Sequence, residues 1–387
     1  MRKYFPYILF IFLFFIYFLC YQSVLSHVIY YQEQHHLFLY SKTFFLQHIQ
    51  SQGWMSYLTA FIIQFFHIPT IGSILLAGIL ALIYLLTNDA IKKITGHNDL
   101  LLLSLIPSIY LFLYSMTVDH SLTPIIATFL GLLIMGLFHQ ITVRPWSFIR
   151  KIYSPLPPNN KYRLLIYSLL IAIYAGTSFY FFVQTYNMSE HRMIMAEKSV
   201  KEKNWENVLT QTEKYINSGR TNQLISYFHN LALYHTGKLP YQLFDYPQKL
   251  GVKALYFPCR ESEYGHFIYE DLGYINEAQR WEFEAMVVWG ETAPHLLNLA
   301  RYNIVNKRPE VARRFINLLK QSLFYRGDAE ELEKQLHAGS VPGLRMALEN
   351  NKEHPARFAN VINIGPELQY LCEQDTTNRM AFEYLMS

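Results

Sequence analysis

Apolar runs long enough to cross a bilayer crowd into the first 183 residues of this 387-residue chain and do not recur after them. They span 4–21, 70–87, 99–116, 121–143 and 163–183. A helix rising ~1.5 Å per residue needs about 20 residues to cross ~30 Å of hydrocarbon, so each run is read as a transmembrane helix. Asp, Glu, Lys and Arg become frequent only after Glu190. The chain is therefore expected to be all-α, with a polytopic membrane domain over 1–183 and a soluble helical-repeat domain over 184–387.

Basic residues orient the membrane half, because Lys and Arg in short loops stay cytoplasmic. Lys92 and Lys93 mark one such loop, and Arg144, Arg150, Lys151, Lys161 and Arg163 mark another. Arg2 and Lys3 precede the first run, and Val24-Leu25-Ser26 just after it is no small-residue cleavage site. The first run is thus an uncleaved anchor with its N-terminus inside. One crossing then fits between Trp54 and Thr87, so 54–67, with only about a dozen apolar residues before Pro69, is read as a re-entrant or interfacial helix. Gln64 and His67 in it are read as capping the break at Pro69 or meeting a lipid headgroup. Gly72, Gly78 and Ala81 on the next helix suit close helix packing. By the same count the residues after the last span lie on the outer face.

The first outer loop, Gln22 to Gln52, places Leu37, Phe38, Phe44, Phe45 and Ile49 on one side of a helical wheel, as in a helix lying on the membrane or packed on the spans. In the soluble half, breaks fall at Asn204-Trp205, Ser218-Gly219, Thr236-Gly237, Trp289-Gly290 and Lys307-Arg308-Pro309, and no Val/Ile/Thr alternation argues for strands. Stretches near Ala196 to Tyr215 and Leu299 to Ile316 fit a tetratricopeptide-type helix-turn-helix unit of about 34 residues. In the second, Ala312 is expected as the close-contact residue and Phe315 as the knob into the next layer. Pro240, Pro247 and Pro258 interrupt this rhythm between Leu239 and Gly265. The final helix, Arg379 to Ser387, carries no polar cap, so a truncated end is expected.

The net charge of +4, without a Lys/Arg stripe among stacking aromatics, argues against nucleic acid. Cys20, Cys259 and Cys372 have no metal-ligand spacing, and Cys259 and Cys372 are read as a disulfide or as two buried thiols. No phosphate loop, metalloprotease helix, nucleophile elbow or Cys-x-x-Cys motif is present, so no cofactor and no metal is expected, and enzymatic activity is disfavoured.

Three stretches carry a resemblance: Thr221 to Leu233, Leu243 to Gln248, and Glu284 to His295. With the spans before them they resemble a bacterial family of multi-pass membrane proteins with a tetratricopeptide-like C-terminal region, a domain of unknown function. The resemblance implies a Gram-negative inner membrane and a chain continuing past Ser387; it implies no activity. With the outer-face placement read from the basic loops, the C-terminal domain is then expected to be periplasmic. The lipid bilayer and an envelope protein or peptide, held by the repeats, are the expected partners. The leading expectation is an inner-membrane anchored scaffold.

The candidate catalytic residues are Glu33, His35 and His36 of the first outer loop with Asp119 and His120 of the second, since ionisable groups near the bilayer are costly and often functional. The plainer reading is polar groups solvated at headgroup level. An outer loop with surface helices and an acid, followed by an outer C-terminal domain, is similar to the architecture of GT-C type glycosyltransferases. The alternative function is accordingly a membrane glycosyltransferase acting on a lipid-linked donor, with Glu33 or Asp119 as base or metal ligand.

Overall fold

The computed structural model describes residues 4–95, 99, 101–142, 160–220, 222–248, 255, 257, 259–344 and 364–386. Every regular element among them is a helix, so the chain is all-α. The described residues form two compact units. One comprises Met1–Glu33 and Lys42–Asn187; the other comprises Gln34–Ser41 and Met188–Ser387.

The first unit contains α1 (Phe5–Gln22), α2 (Ser26–His35, whose last two residues belong to the other unit), α3 (Lys42–Gln52), α4 (Trp54–Ile63), α5 (Pro69–Thr95), α6 (Leu105–Tyr114), α7 (Thr123–Thr142) and α8 (Asn160–Thr185). Three stretches are helical, long and apolar enough to cross a membrane: Phe5–Gln22, Pro69–Thr95 and Leu165–Thr185. The run 99–116 differs from expectation, because only its 10 residues Leu105–Tyr114 are α-helical. The Asp99 carboxylate accepts from the N–H groups of Leu103 and Ser104, and Leu102 takes φ 53°, so the backbone enters the helix late. At ~1.5 Å per residue that helix is about 15 Å long, half the hydrocarbon thickness. Segment 54–67 forms the 10-residue α4 and then a 3-10 turn, Gln64–His67, before Pro69 opens α5. The loop carrying Arg144, Arg150 and Lys151 lies outside the described residues.

Polar side chains tie α1 to α6 inside this apolar unit. Ser108 donates to the Leu80 carbonyl (2.8 Å), leaving its oxygen to accept from Tyr17 (3.0 Å). Ser115 donates to the Phe112 carbonyl and receives Tyr21. Such interhelical bonds contribute roughly 0.6 kcal/mol each in lipid, and they fix which faces of α1 and α6 meet. Gly72 permits the chain to double back at Pro69, since a Cβ there would lie 2.9 Å from the Phe66 ring and 3.0 Å from Ile29.

The second unit runs through α9 (Met188–Lys201), α10 (Trp205–Ile216), α11 (Gln223–His235), α12 (Leu239–Gln242), α13 (His266–Leu272), α14 (Ile275–Trp289), α15 (Ala293–Val305), α16 (Pro309–Leu319), α17 (Arg326–Ala338), α18 (Ile364–Gln374) and α19 (Arg379–Met386). A left-handed residue recurs at Lys203, Gly237, Gly273 and Lys307, at intervals of 34, 36 and 34 residues. At three of these turns the next N–H reaches back five residues: Asn204 to Ser199, Lys238 to Leu233 and Arg308 to Asn303, each 2.8 Å. That bond satisfies a carbonyl the helix end leaves open as the chain turns into the next helix. Seven residues before the left-handed residue, the first and last of these hairpins carry Ala196 and Ala300; five after it they carry Val208 and Ala312; nine after it, Thr212 and Ile316. All six are fully buried. Ile316 therefore fills the layer that Phe315, half-buried, had been expected to fill.

Residues Gln34–Ser41 pack into this same unit as a strap, correcting the surface helix expected there. The chain has no regular secondary structure from His36 to Tyr40, Leu37, Phe38 and Leu39 are buried, and the Tyr40 N–H donates to the Gln321 carbonyl (2.8 Å). Cys372 is a free thiol, so it forms no bridge to Cys259. In the proline-interrupted stretch, Phe257 and Tyr264 are buried, whereas Tyr241 and Phe244 are 85% and 75% exposed.

Candidate functional site

The five residues singled out from the sequence divide between the two units. In the first unit Glu33 is buried, with its Oε1 3.3 Å from Nδ1 of His67 at the close of the 3-10 turn. Its neighbour Gln32 donates to the carbonyls of Val118 (3.1 Å) and His120 (3.3 Å), which ties the second loop to α2 through backbone. The side chains of that loop point elsewhere: Asp119 is exposed, and His120 donates to the Tyr114 carbonyl (2.7 Å) while stacking on the Tyr114 ring. His35 and His36 belong to the strap of the second unit. There His35 Nε2 lies 3.6 Å from Glu263, and its ring meets Trp289 edge-on at 5.2 Å. The structure thus gives Glu33 a partner in His67.

A richer constellation lies in the second unit, where the third hairpin breaks the core pattern. The positions filled by Ala196 or Ala300, and by Thr212 or Ile316, hold His266 and Glu282 instead. Glu282 is 1% exposed. Its Oε2 accepts from His295 Nδ1 (2.7 Å), and its Oε1 accepts from Asn298 Nδ2 (2.6 Å) and lies 3.3 Å from His266 Nδ1. Burial pushes the Glu282 carboxyl up, but the two imidazoles and the Asn298 amide more than offset it, leaving its pKa below the usual carboxylate value. Burial likewise holds the His266 imidazole below its ordinary value despite the nearby carboxylates, and its Nδ1–H donates to the Glu263 carbonyl (2.8 Å). Glu263, driven up by burial, is brought below its usual value by His35, Lys201 and His295.

This polar core forms the floor of an open cleft of about 280 Å³ within the same unit. His266 and Asn298 reach its surface from below, and Lys201, Lys203, Arg301, Glu270 and Asp271 provide its charge. Trp205, Leu231, Phe267 and Leu297 form an apolar wall. Lys201, Arg301 and His235 are each held by a carboxylate. Lys201 pairs with buried Glu197 (2.7 Å) and donates to Gln34 of the strap (3.1 Å). Arg301 bonds both Glu270 (3.2 Å) and the Asn298 oxygen (3.1 Å), and Tyr302 donates to the other oxygen of Glu270 (2.8 Å). His235 bonds Asp271 (2.8 Å) and stacks on Trp205 with ring centroids 3.8 Å apart. Lys203 is exposed in the left-handed turn, with no side-chain ion pair among the described residues.

Taking a carboxylate such as Glu282 out of water costs several kcal/mol unless it is compensated, and apolar side chains of similar volume are often as stabilising. The sequence reading missed these residues because it treated the repeat positions as uniformly apolar; aligning the hairpins on Lys203, Gly273 and Lys307 exposes His266 and Glu282 as departures.

Set against known proteins, the chain matches a family model over residues 1–183 and 149–387, and that model describes a family of unknown function. No curated protein matches it, and no solved structure does.

Proposed function

Taking as premise that the chain belongs to this family of unknown function, DUF6057, we propose that it is a membrane-anchored binding protein whose helical unit holds a peptide, or a segment of an envelope protein, in the cleft between Lys203 and Arg301. The observation that carries this reading is the buried Glu282 with His266, His295 and Asn298, a polar core that fixes the floor of the cleft. The 34-residue interval between left-handed turns supports a tetratricopeptide-like repeat, a scaffold that binds extended partners. Three helices of spanning length support the anchor. The basic loops around Lys92 and Arg150 support an orientation in which the helical unit faces the periplasm from a multi-pass inner-membrane position. The test is site-specific photo-crosslinking from Tyr325, on the cleft wall, in the full-length chain in cells. A discrete adduct that is lost in Lys203→Glu is expected. Equal crosslinking in that variant rules the cleft out.

The contact of Glu33 with His67 favours a second reading, a transferase acting on a lipid-linked donor, because a buried carboxylate beside an imidazole is suited to proton transfer. Here Glu33→Gln abolishes the activity at unchanged membrane level, while Lys203→Glu leaves it intact. A Glu33→Gln strain with a wild-type glycolipid profile removes this reading.

A further inference from the structure

The charges of the cleft identify its occupant more closely, on the reading that the cleft is the binding site. Lys203 presents an ammonium with no ion-pair partner among the described residues. On the same cleft, adjacent Glu270 and Asp271 on α13 present two carboxylates, both partly exposed: Glu270 is already bonded to Arg301 and Tyr302, and Asp271 to His235. With Lys201 neutralised by Glu197 and Arg301 by Glu270, the lining is close to electrically balanced. A polyanion entering it would meet Glu270 and Asp271; a polycation would meet Lys203 and Arg301. A molecule carrying one charge of each sign meets a complement at both ends, and each contact is a charge-assisted hydrogen bond at the edge of a low-dielectric floor. The volume of about 280 Å³ falls at the small end of ligand pockets, which run from roughly 300 to 1,000 Å³. Trp205, Leu231 and Leu297 offer apolar surface for an uncharged body between the two ends.

We infer that the cleft binds a small zwitterion of dipeptide size, its carboxylate at Lys203 and its ammonium at the Glu270 and Asp271 edge, with an apolar side chain against Trp205 and Leu297. The preorganised floor explains why a site of this size can be selective: His266, with its proton on Nδ1, and Asn298, pinned by Glu282 and Arg301, cannot rotate to satisfy a different pattern of donors and acceptors. The ligand class is thus set by charge at the rim and by fixed dipoles at the base.

The experiment is isothermal titration calorimetry on the full chain in lipid nanodiscs with four probes: leucyl-leucine, its N-acetyl derivative, its C-terminal amide, and inorganic phosphate. Leucyl-leucine is expected to bind, and removal of either charge to weaken it about tenfold or more. Lys203→Met, whose fold is checked by its thermal melt, should lower the affinity for leucyl-leucine and leave that of the amide unchanged. Binding of the N-acetyl dipeptide as tight as that of leucyl-leucine, binding of phosphate alone, or no binding of any probe overturns the inference. If no probe binds while the Tyr325 crosslink is still formed and still depends on Lys203, the zwitterion is wrong and the binding-protein reading stands. Loss of both removes the two together.

Discussion

His229 illustrates how a single buried side chain makes the second unit sensitive to acid. Thr212 donates its hydroxyl proton to the Val208 carbonyl (2.8 Å), so its oxygen accepts from His229 Nδ1 (2.8 Å). The other ring nitrogen is buried without a hydrogen-bond partner among the described residues. A second proton would therefore sit in a dry site, and burial lowers the pKa of His229 to about 4. Linkage sets the sign: the folded imidazole stays neutral, whereas the unfolded one takes a proton below about 6.5. Stability is complete above that pH and declines as pH falls toward 4, by up to about 3 kcal/mol. His229→Leu should flatten this decline in chemical-denaturation curves recorded between pH 7 and pH 4, and an unchanged slope would assign the acid sensitivity to other groups. Gly265 is a second such point, since a Cβ there would collide with the Trp281 ring. Gly265→Ala should cost roughly 1–3 kcal/mol by overpacking, read from the same denaturation curves.

Among the elements, the turns and the core positions carry different lessons. Lys307 adopts φ 56° where Gly237 and Gly273 do the same work without a Cβ. Lys307→Gly is expected to raise stability by about 0.5–1 kcal/mol and Gly237→Ala to lower it by a similar amount, measured as shifts of the denaturation midpoint. The breaks at Asn204, Gly237, Gly290 and Arg308 were legible in the sequence because turn chemistry is local: a glycine, a cap or a proline announces itself within a few residues. The polar core was not, because Glu282 and His266 become unusual only when hairpins are superposed, and hydropathy along the chain reads them as one more charged turn of a surface helix. If that core exists for orientation, the combined replacement His266→Ala, Glu282→Ile, His295→Leu should be neutral or stabilise the unit by about 1–4 kcal/mol while leucyl-leucine binding is lost. A strongly destabilised triple variant would mean that the network is structural.

For the molecule as a whole, the apolar runs announced an all-α chain with a membrane-compatible half, and among the described residues three of the five correspond to helices long and apolar enough to cross. Run length alone could not anticipate that Asp99 would capture two backbone N–H groups and shorten α6, since a capping contact leaves no trace in hydropathy. The pairing of Glu33 with His67, and of Gln34 with Lys201 across 167 residues, was equally hidden, because periodicity reports only on neighbours in sequence. The strap has a further consequence for how the protein is made. Leu37, Phe38 and Leu39 leave the ribosome long before Met188, where the rest of their unit begins, so the second unit is discontinuous in the chain and must wait for its own last-made parts. A fragment beginning at Met188 would lack eight residues of its own unit, the buried Leu37, Phe38 and Leu39 among them, and adding back a synthetic peptide of Gln34–Ser41 should raise its melting temperature in a saturable way. The N-terminal region is in this sense a chaperone built into the same polypeptide, supplying a missing piece to a domain that has not yet been synthesised.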